Sequence, residues 1–308
     1  MKATSALSGA GHLSTEGLLV KYFAFFISIL LQASRKGNVM ANFFHPLPPS
    51  LRLTFAAMSS SLPHDNVTPF DDPEKTKKEQ VTEMFDKVAK RYDRVNRVLS
   101  AGIDINWRKK AISILRNDKP ERMLDVATGT GDMAILACTL LQPQMIIGID
   151  ISEQMLEFGR KKVEKEGLTQ FIQLQKGDSE TINFPDNSFD AVTVAFGVRN
   201  FENLEKGLKE MLRVLKPDGR LIVLEFSRPR TKIFRNLYNL YMGIVAPEVA
   251  RWFSQNKKAY KYLNESAKLF PERQAFADIL KNAGYSNTSF KPLSAGICCI
   301  YTGQKFVG

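Results

Sequence analysis

Apolar residues recur at intervals of three and four over 81–99, at Val81, Met84, Phe85, Val88, Tyr92, Val95, Val98 and Leu99, predicting a helix with one buried face. A second helix is expected over 107–115. From Arg122 the rhythm changes to short apolar runs: Arg122-Met-Leu-Asp-Val-Ala127, Met145-Ile-Ile-Gly-Ile-Asp150, Phe171-Ile-Gln-Leu-Gln175, Phe189-Asp-Ala-Val-Thr-Val-Ala195 and Arg220-Leu-Ile-Val-Leu-Glu225. Helical stretches at 133–141, 152–165 and 204–215 separate them, the last stopped by Lys216-Pro-Asp-Gly219. Strands alternating with helices predict one parallel sheet covered on both faces. Beyond Glu225 the segments 229–246 and 257–270 read as helical, aromatic and basic, and Ser289-Phe290 with Ile297-Cys-Cys-Ile-Tyr301 reads as a closing strand pair.

The first strand runs into Asp125-Val-Ala-Thr-Gly-Thr-Gly-Asp132, a glycine loop with a carboxylate at each end. A helix N-terminus with bare backbone N–H groups attracts anions, but two acids repel a pyrophosphate. They suit a cationic or zwitterionic ligand that carries ribose hydroxyls, such as S-adenosylmethionine. Asp150 ends the second strand about twenty residues further on, where Rossmann-type units place a ribose-binding carboxylate. Gly129-Thr-Gly131-Asp-Met-Ala134 also fits the dinucleotide pattern, so an NAD(P) dehydrogenase is the rival, and a turn without ligand is the plain alternative. Ligands on such sheets sit beyond the carboxyl ends of the strands, where Asp125, Asp150, Asp178 and Phe196-Gly-Val-Arg-Asn200 all fall.

Composition changes the picture mainly at the start of the chain. The net charge is +11 over 308 residues. Residues 1–57 hold Lys2, Lys21, Arg35, Lys36 and Arg52 against Glu16 alone. Tyr22-Phe-Ala-Phe-Phe-Ile-Ser-Ile-Leu-Leu31 is too short for a standard transmembrane helix. The segment reads as a mis-started extension ahead of Met58, with a signal or organellar targeting segment as the alternative. Residues 58–80 read as a disordered polar leader and 81–308 as the folded domain. The remaining positive charge permits contact with an anionic membrane surface or nucleic acid and demands neither. Cys138, Cys298 and Cys299 show neither a disulfide framework nor a metal spacing, which fits a reducing, cytoplasmic setting.

Three stretches carry a specific resemblance. Tyr92-Asp-Arg-Val-Asn-Arg-Val-Leu-Ser100 followed by Trp107, Phe196-Gly-Val-Arg-Asn200, and Arg213-Val-Leu-Lys-Pro-Asp-Gly-Arg-Leu-Ile-Val-Leu-Glu-Phe-Ser227 resemble the signatures of the ubiquinone/menaquinone C-methyltransferase family, over roughly 81–305. The resemblance implies an α/β, Rossmann-like class I methyltransferase: a mostly parallel seven-stranded sheet, helices on both faces and an antiparallel final hairpin. It implies S-adenosylmethionine held by Thr130, Asp150, Asp178 and Ser179, with Asp125, Gly129 and Gly131 at the loop and no metal. The reaction it implies is C-methylation of a prenylated hydroquinone, of the naphthoquinol (menaquinone) branch rather than the benzoquinol (ubiquinone) branch. Gly102-Ile-Asp104 and Ala127-Thr-Gly129 favour the former. Val95, Ala195 and Asp218 depart from the family's usual Met, Ser and Gly, and Asp104 stands where it usually has His.

All three histidines, His12, His45 and His64, fall in the leader, so no histidine base is expected in the fold. The candidates left for ionising the quinol are Asp104 or Asp93 as proton acceptor and Arg199 as electrostatic stabiliser of the phenolate, with Tyr92 and Asn200 orienting the ring. Each has a plain alternative: Tyr92 as a core aromatic, Asp93 as an exposed acid, Arg199 as the structural partner of an acid. The aromatic and basic segment 229–273 reads either as packing or as a cap over an apolar substrate, its cations facing lipid headgroups. The expected partners are the prenylated naphthoquinol, a membrane surface at the inner face, and a second copy of the chain in a homodimer.

Overall fold

A computed structural model describes residues 62–100, 102–231, 236 and 257–306. The expected extension over 1–57 lies outside the described residues, as does most of the expected cap, 232–256 except Asn236. Helices α1 (Lys77–Ser100) and α2 (Ile103–Ile112) precede the sheet. The alternating part then runs β1 (Arg122–Val126), α3 (Asp132–Leu141), β2 (Met145–Asp150), α4 (Glu153–Lys165), β3 (Ile172–Lys176), β4 (Phe189–Ala195), α5 (Leu204–Val214) and β5 (Leu215–Phe226). It closes with α6 (Lys257–Leu269), α7 (Gln274–Asn282), β6 (Ser286–Leu293) and β7 (Cys298–Gln304). Helix α7 has no counterpart in the expected element order.

One seven-stranded sheet has the order β3-β2-β1-β4-β5-β7-β6. β1, β2, β3, β4 and β5 are parallel, and β7 inserts antiparallel between β5 and β6. Strand alternation splits the core. Leu124, Val126, Ile147, Val192, Val194, Leu221, Val223 and Tyr301 face one cluster, covered by Leu204, Leu208 and Met211 of α5 and Phe276 and Leu280 of α7. Met123, Ile146, Ala191, Ile222, Leu224 and Ile300 face the other, covered by Trp107 and Ala111 of α2, Met133 and Ala137 of α3, and Leu156 and Val163 of α4. Burying both faces leaves the loops at the strands' carboxyl ends as the place where polar chemistry is free to gather.

Local chemistry sets the boundaries. Ser152 Oγ accepts from Met155 N (3.2 Å) and caps α4, and Asn203 Oδ1 accepts from Lys206 N (2.9 Å) and caps α5. Lys216-Pro-Asp-Gly219, expected to stop the preceding helix, is a bulged start of β5: Leu215 pairs with Phe189, the register then slips, and Arg220 pairs with Ala191. Residues 62–76 also differ from the expected mobile leader. His64 is fully buried, its ring 5.1 Å edge-on to Phe270. Lys77 Nζ donates to His64 O (2.8 Å), and Gln80 serves Phe70 N, Asp72 O and Lys75 O. Side chains of α1 thus satisfy the backbone of a segment that has no hydrophobic period of its own. A histidine therefore does stand within the fold, with burial lowering its pKa to about 4.

Candidate functional site

A cleft opens at the carboxyl ends of β1, β2 and β4, with α1 as one wall. Val81, Phe85 and Tyr92 of α1 line it against Gly129, Asp150 and Phe196. Two non-glycine residues take left-handed backbone at its floor, Ala127 (φ 51°) after β1 and Phe196 (φ 60°) after β4. The two crossings nearly touch: a Cβ on Gly197 would lie 2.6 Å from that of Ala127, so only glycine fits.

Asp150 lines the cleft. Its Oδ2 accepts from Gly129 N (2.8 Å) and its Oδ1 from Ser152 N (2.9 Å), which fixes the carboxylate and leaves acceptor capacity on both oxygens. Burial raises its pKa to about 6, and the nearby Asp125 adds to the rise. Asp125 lies beneath the loop instead. Thr128 and Thr193 hydroxyls take its two oxygens, each at 2.6 Å, and it does not line the cleft.

The loop residues divide in the same way. Gly129 lines the cleft; Gly131 (φ 79°) starts α3 and faces Leu174. Thr130 Oγ1 donates to Asp93 Oδ1 (2.6 Å) and so ties the loop to α1. Asp178 and Ser179 line the cleft, with Asp178 Oδ2 accepting from Lys78 Nζ (2.7 Å). Lys78 also reaches Glu180, whose other oxygen accepts from Glu202 N (2.9 Å) and Asn203 N (3.0 Å). A third tie joins Ser152 Oγ to Asp86 Oδ1 (2.6 Å). Lys78, Asp86 and Asp93 are eight and seven residues apart, so one stripe of α1 fastens three loops while the neighbouring stripe walls the cleft.

The expected catalytic group is only partly brought together. Tyr92 and Asn200 line the cleft. Tyr92 packs edge-on to Phe85 at 5.9 Å, hydrogen-bonds Asn96, and has its hydroxyl pKa raised by burial. Asp104 is elsewhere: it is buried, pairs with Arg97, accepts from Ser100 Oγ (2.7 Å) and lies 3.7 Å from Arg108. Its carboxylate is engaged by these partners and does not line the cleft. Asp93 is held by Thr130 and by Lys162 Nζ (2.9 Å). Arg199 is buried against Glu225 Oε1 (2.6 Å) and donates to Phe196 O (2.7 Å). Its charge is balanced by a buried acid, and the pair braces the turn that carries Asn200. Phe85, Lys78 and Glu180 are cleft residues not anticipated from the sequence. Phe85 lies seven residues before Tyr92 on the same face, a signal that was available.

These groups fit S-adenosylmethionine on the structure's own terms. A fixed buried carboxylate with free acceptor sites suits a vicinal diol, acids suit a sulfonium and an ammonium, and the Phe85, Tyr92 and Phe196 rings suit a flat apolar acceptor.

Residues 73–305 match the ubiE/COQ5 methyltransferase family. A demethylmenaquinone methyltransferase of Bacteroides fragilis is 46% identical over 243 residues, covering 79% of this chain and 99% of that protein. A ubiquinone/menaquinone biosynthesis C-methyltransferase UbiE of Geobacter sulfurreducens is 43% identical over 230 residues, covering 74% and 90%. In fold, the chain is similar to a Thermotoga maritima SAM-dependent methyltransferase, a possible histamine N-methyltransferase, with TM-score 0.52 at 21% identity, covering 73% of this chain and 99% of that one. The chain belongs to the ubiE/COQ5 methyltransferase family.

Proposed function

We propose that this protein methylates a ring carbon of a prenylated hydroquinone at the expense of S-adenosylmethionine, with demethylmenaquinol as the acceptor. The observation that carries the reading is the cleft itself: Asp150, fixed by two backbone N–H groups, at one side and an aromatic wall from α1 at the other. The benzoquinol of ubiquinone synthesis is the second reading, favoured by relatives whose name covers both quinones. S-adenosylmethionine held there would supply a sulfonium methyl to the ring carbon, which would then lose its own proton to restore the aromatic ring.

Asp150 would hold the cofactor's diol, Gly129 would let backbone approach its methionine end, and Asp178 with Ser179 would flank its base, all four being residues that line the cleft. Val81, Phe85 and Phe196 exclude water from the acceptor ring, which favours a reaction that neutralises charge. Positioning at attack distance contributes much of the rate. The acceptor's isoprenoid tail points to a peripheral position at the cytoplasmic face of a membrane. Lys258, Lys261 and Lys268 of α6 are exposed beside an exposed Leu269, and among the described residues no helix is long and apolar enough to cross a membrane. Flotation of the full chain with anionic vesicles tests this placement; a protein that stays wholly with the soluble fraction refutes it.

The deciding assay incubates the protein with methyl-labelled S-adenosylmethionine and chemically reduced demethylmenaquinol or benzoquinol analogues, read by mass spectrometry. A labelled methyl on the naphthoquinol ring carbon is expected. Transfer to the benzoquinol alone moves the assignment to the ubiquinone branch, and transfer to neither overturns the reading.

A further inference from the structure

Asn200 sits at the end of the 3-10 turn Val198–Asn200, just past β4, with its side chain in the cleft wall. Its amide is held at both ends. Nδ2 faces the Phe196 carbonyl (3.4 Å), and Oδ1 accepts from the hydroxyl of Tyr262 (3.1 Å), a residue of α6 some sixty positions away. A carbonyl only accepts, so the nitrogen must be the atom turned toward Phe196. A flipped amide would set Oδ1 against Phe196 O, two acceptors face to face. The Phe196 carbonyl cannot turn aside, because Arg199 Nη1 donates to it at 2.7 Å while paired with Glu225.

We propose that Tyr262 is a positioning residue that locks the Asn200 amide so that its free N–H, and not its C=O, meets the hydroxyl oxygen of the acceptor. The proposal rests on the quinol reading above. Tyr262 is 1% exposed and packed with Val81 and Met84, so its hydroxyl is shut off from bulk solvent. Arg199 and Glu225 are the charged groups that act on it, and burial raises its pKa, which keeps it a neutral donor. With one N–H of Asn200 toward Phe196 and Oδ1 taken by Tyr262, the second N–H is the hydrogen-bonding group left to the cleft. An N–H donor stabilises a phenolate over a phenol, and an amide oxygen in its place does the reverse. The acceptor's hydroxyl gives its proton to solvent before methyl transfer, so Asn200 acts by shifting that ionisation. Helix α6 thereby reaches the reaction through one hydroxyl.

The test is Tyr262→Phe in the full chain, with kcat at saturating reduced naphthoquinol followed against pH, since kcat reports ionisations within the bound complex. The phenyl ring keeps the packing and removes only the hydroxyl. The limb that reports ionisation of the acceptor is expected to move up by about one pH unit, with a roughly tenfold fall at neutral pH and an unchanged dissociation constant for S-adenosylmethionine. Adding Tyr262→Phe to Asn200→Ala is expected to change nothing further, because Tyr262 acts through Asn200. A lowered melting temperature with the pH limb in place, or effects of the two substitutions that multiply, overturns the proposal. Wild-type protein that methylates no quinol refutes the underlying function instead, so the two failures are told apart.

Discussion

Asp125, next to last in β1, and Asp150, last in β2, are both buried, and both have a carboxyl pKa raised by burial from 3.8 to about 6. They differ in what holds them. Asp125 is closed by the hydroxyls of Thr128 and Thr193, one on each oxygen, whereas Asp150 is held from behind by backbone N–H groups and faces the cleft. A perturbed pKa therefore does not by itself tell a cleft-facing acid from a scaffold acid; the direction from which the carboxylate is satisfied does. An acid capped by side chains on both oxygens is part of the scaffold. An acid pinned by backbone keeps its remaining lone pairs for a ligand.

The contrast is tested most severely by Asp150→Ala. Losing two hydrogen bonds to an ionised acceptor is expected to weaken S-adenosylmethionine binding about a hundredfold or more, read by calorimetry. Next in size is pH. Asp150 accepts best when ionised, so affinity is expected to hold above neutrality and to fall as pH drops through about 6, a limb absent in Asp150→Asn. Asp125→Asn is expected to change that affinity by less than about threefold, since its partners are threonines of the scaffold. Its signature lies in stability. A carboxyl raised in the folded state contributes stability that is present below its ordinary 3.8 and is lost as pH rises through about 6. Asp125→Asn is thus expected to flatten the melting temperature across that window. The smallest effect is expected from Thr130→Val, which removes a half-buried hydroxyl contact to Asp93 and costs about 1 kcal/mol in denaturant unfolding.

The strands were legible because each is a short apolar run bounded by polar residues: β2 and β4 begin and end where the pattern placed them. The Ser152 cap was legible for the same local reason. The start of β5 was not, because a bulge keeps Lys216-Pro-Asp-Gly219 paired where Pro and Gly suggest a turn. Residues 62–76 were read as loose because their order comes from Lys77, Gln80 and Phe270, which lie outside the segment. In the site, Asp150 was legible from its place at a strand end. The fates of Asp104, Asp132 and Arg199 were not, since each depends on a charge supplied from a different element. Arg97 takes both Asp104 and Asp132, and Glu225 takes Arg199. Sequence shows which charges exist; only the fold decides which of them cancel.

Helix α1 is fastened to the glycine loop through Asp93, to the start of α4 through Asp86, and to the turn after β3 through Lys78. The same rigid rod carries Val81, Phe85 and Tyr92 into the cleft. Under the proposed reaction, therefore, the two reactants would not meet independent surfaces. Whatever free energy one of them gains from a fully seated rod is returned, by thermodynamic linkage, as an equal factor in the affinity for the other, in whichever order they arrive.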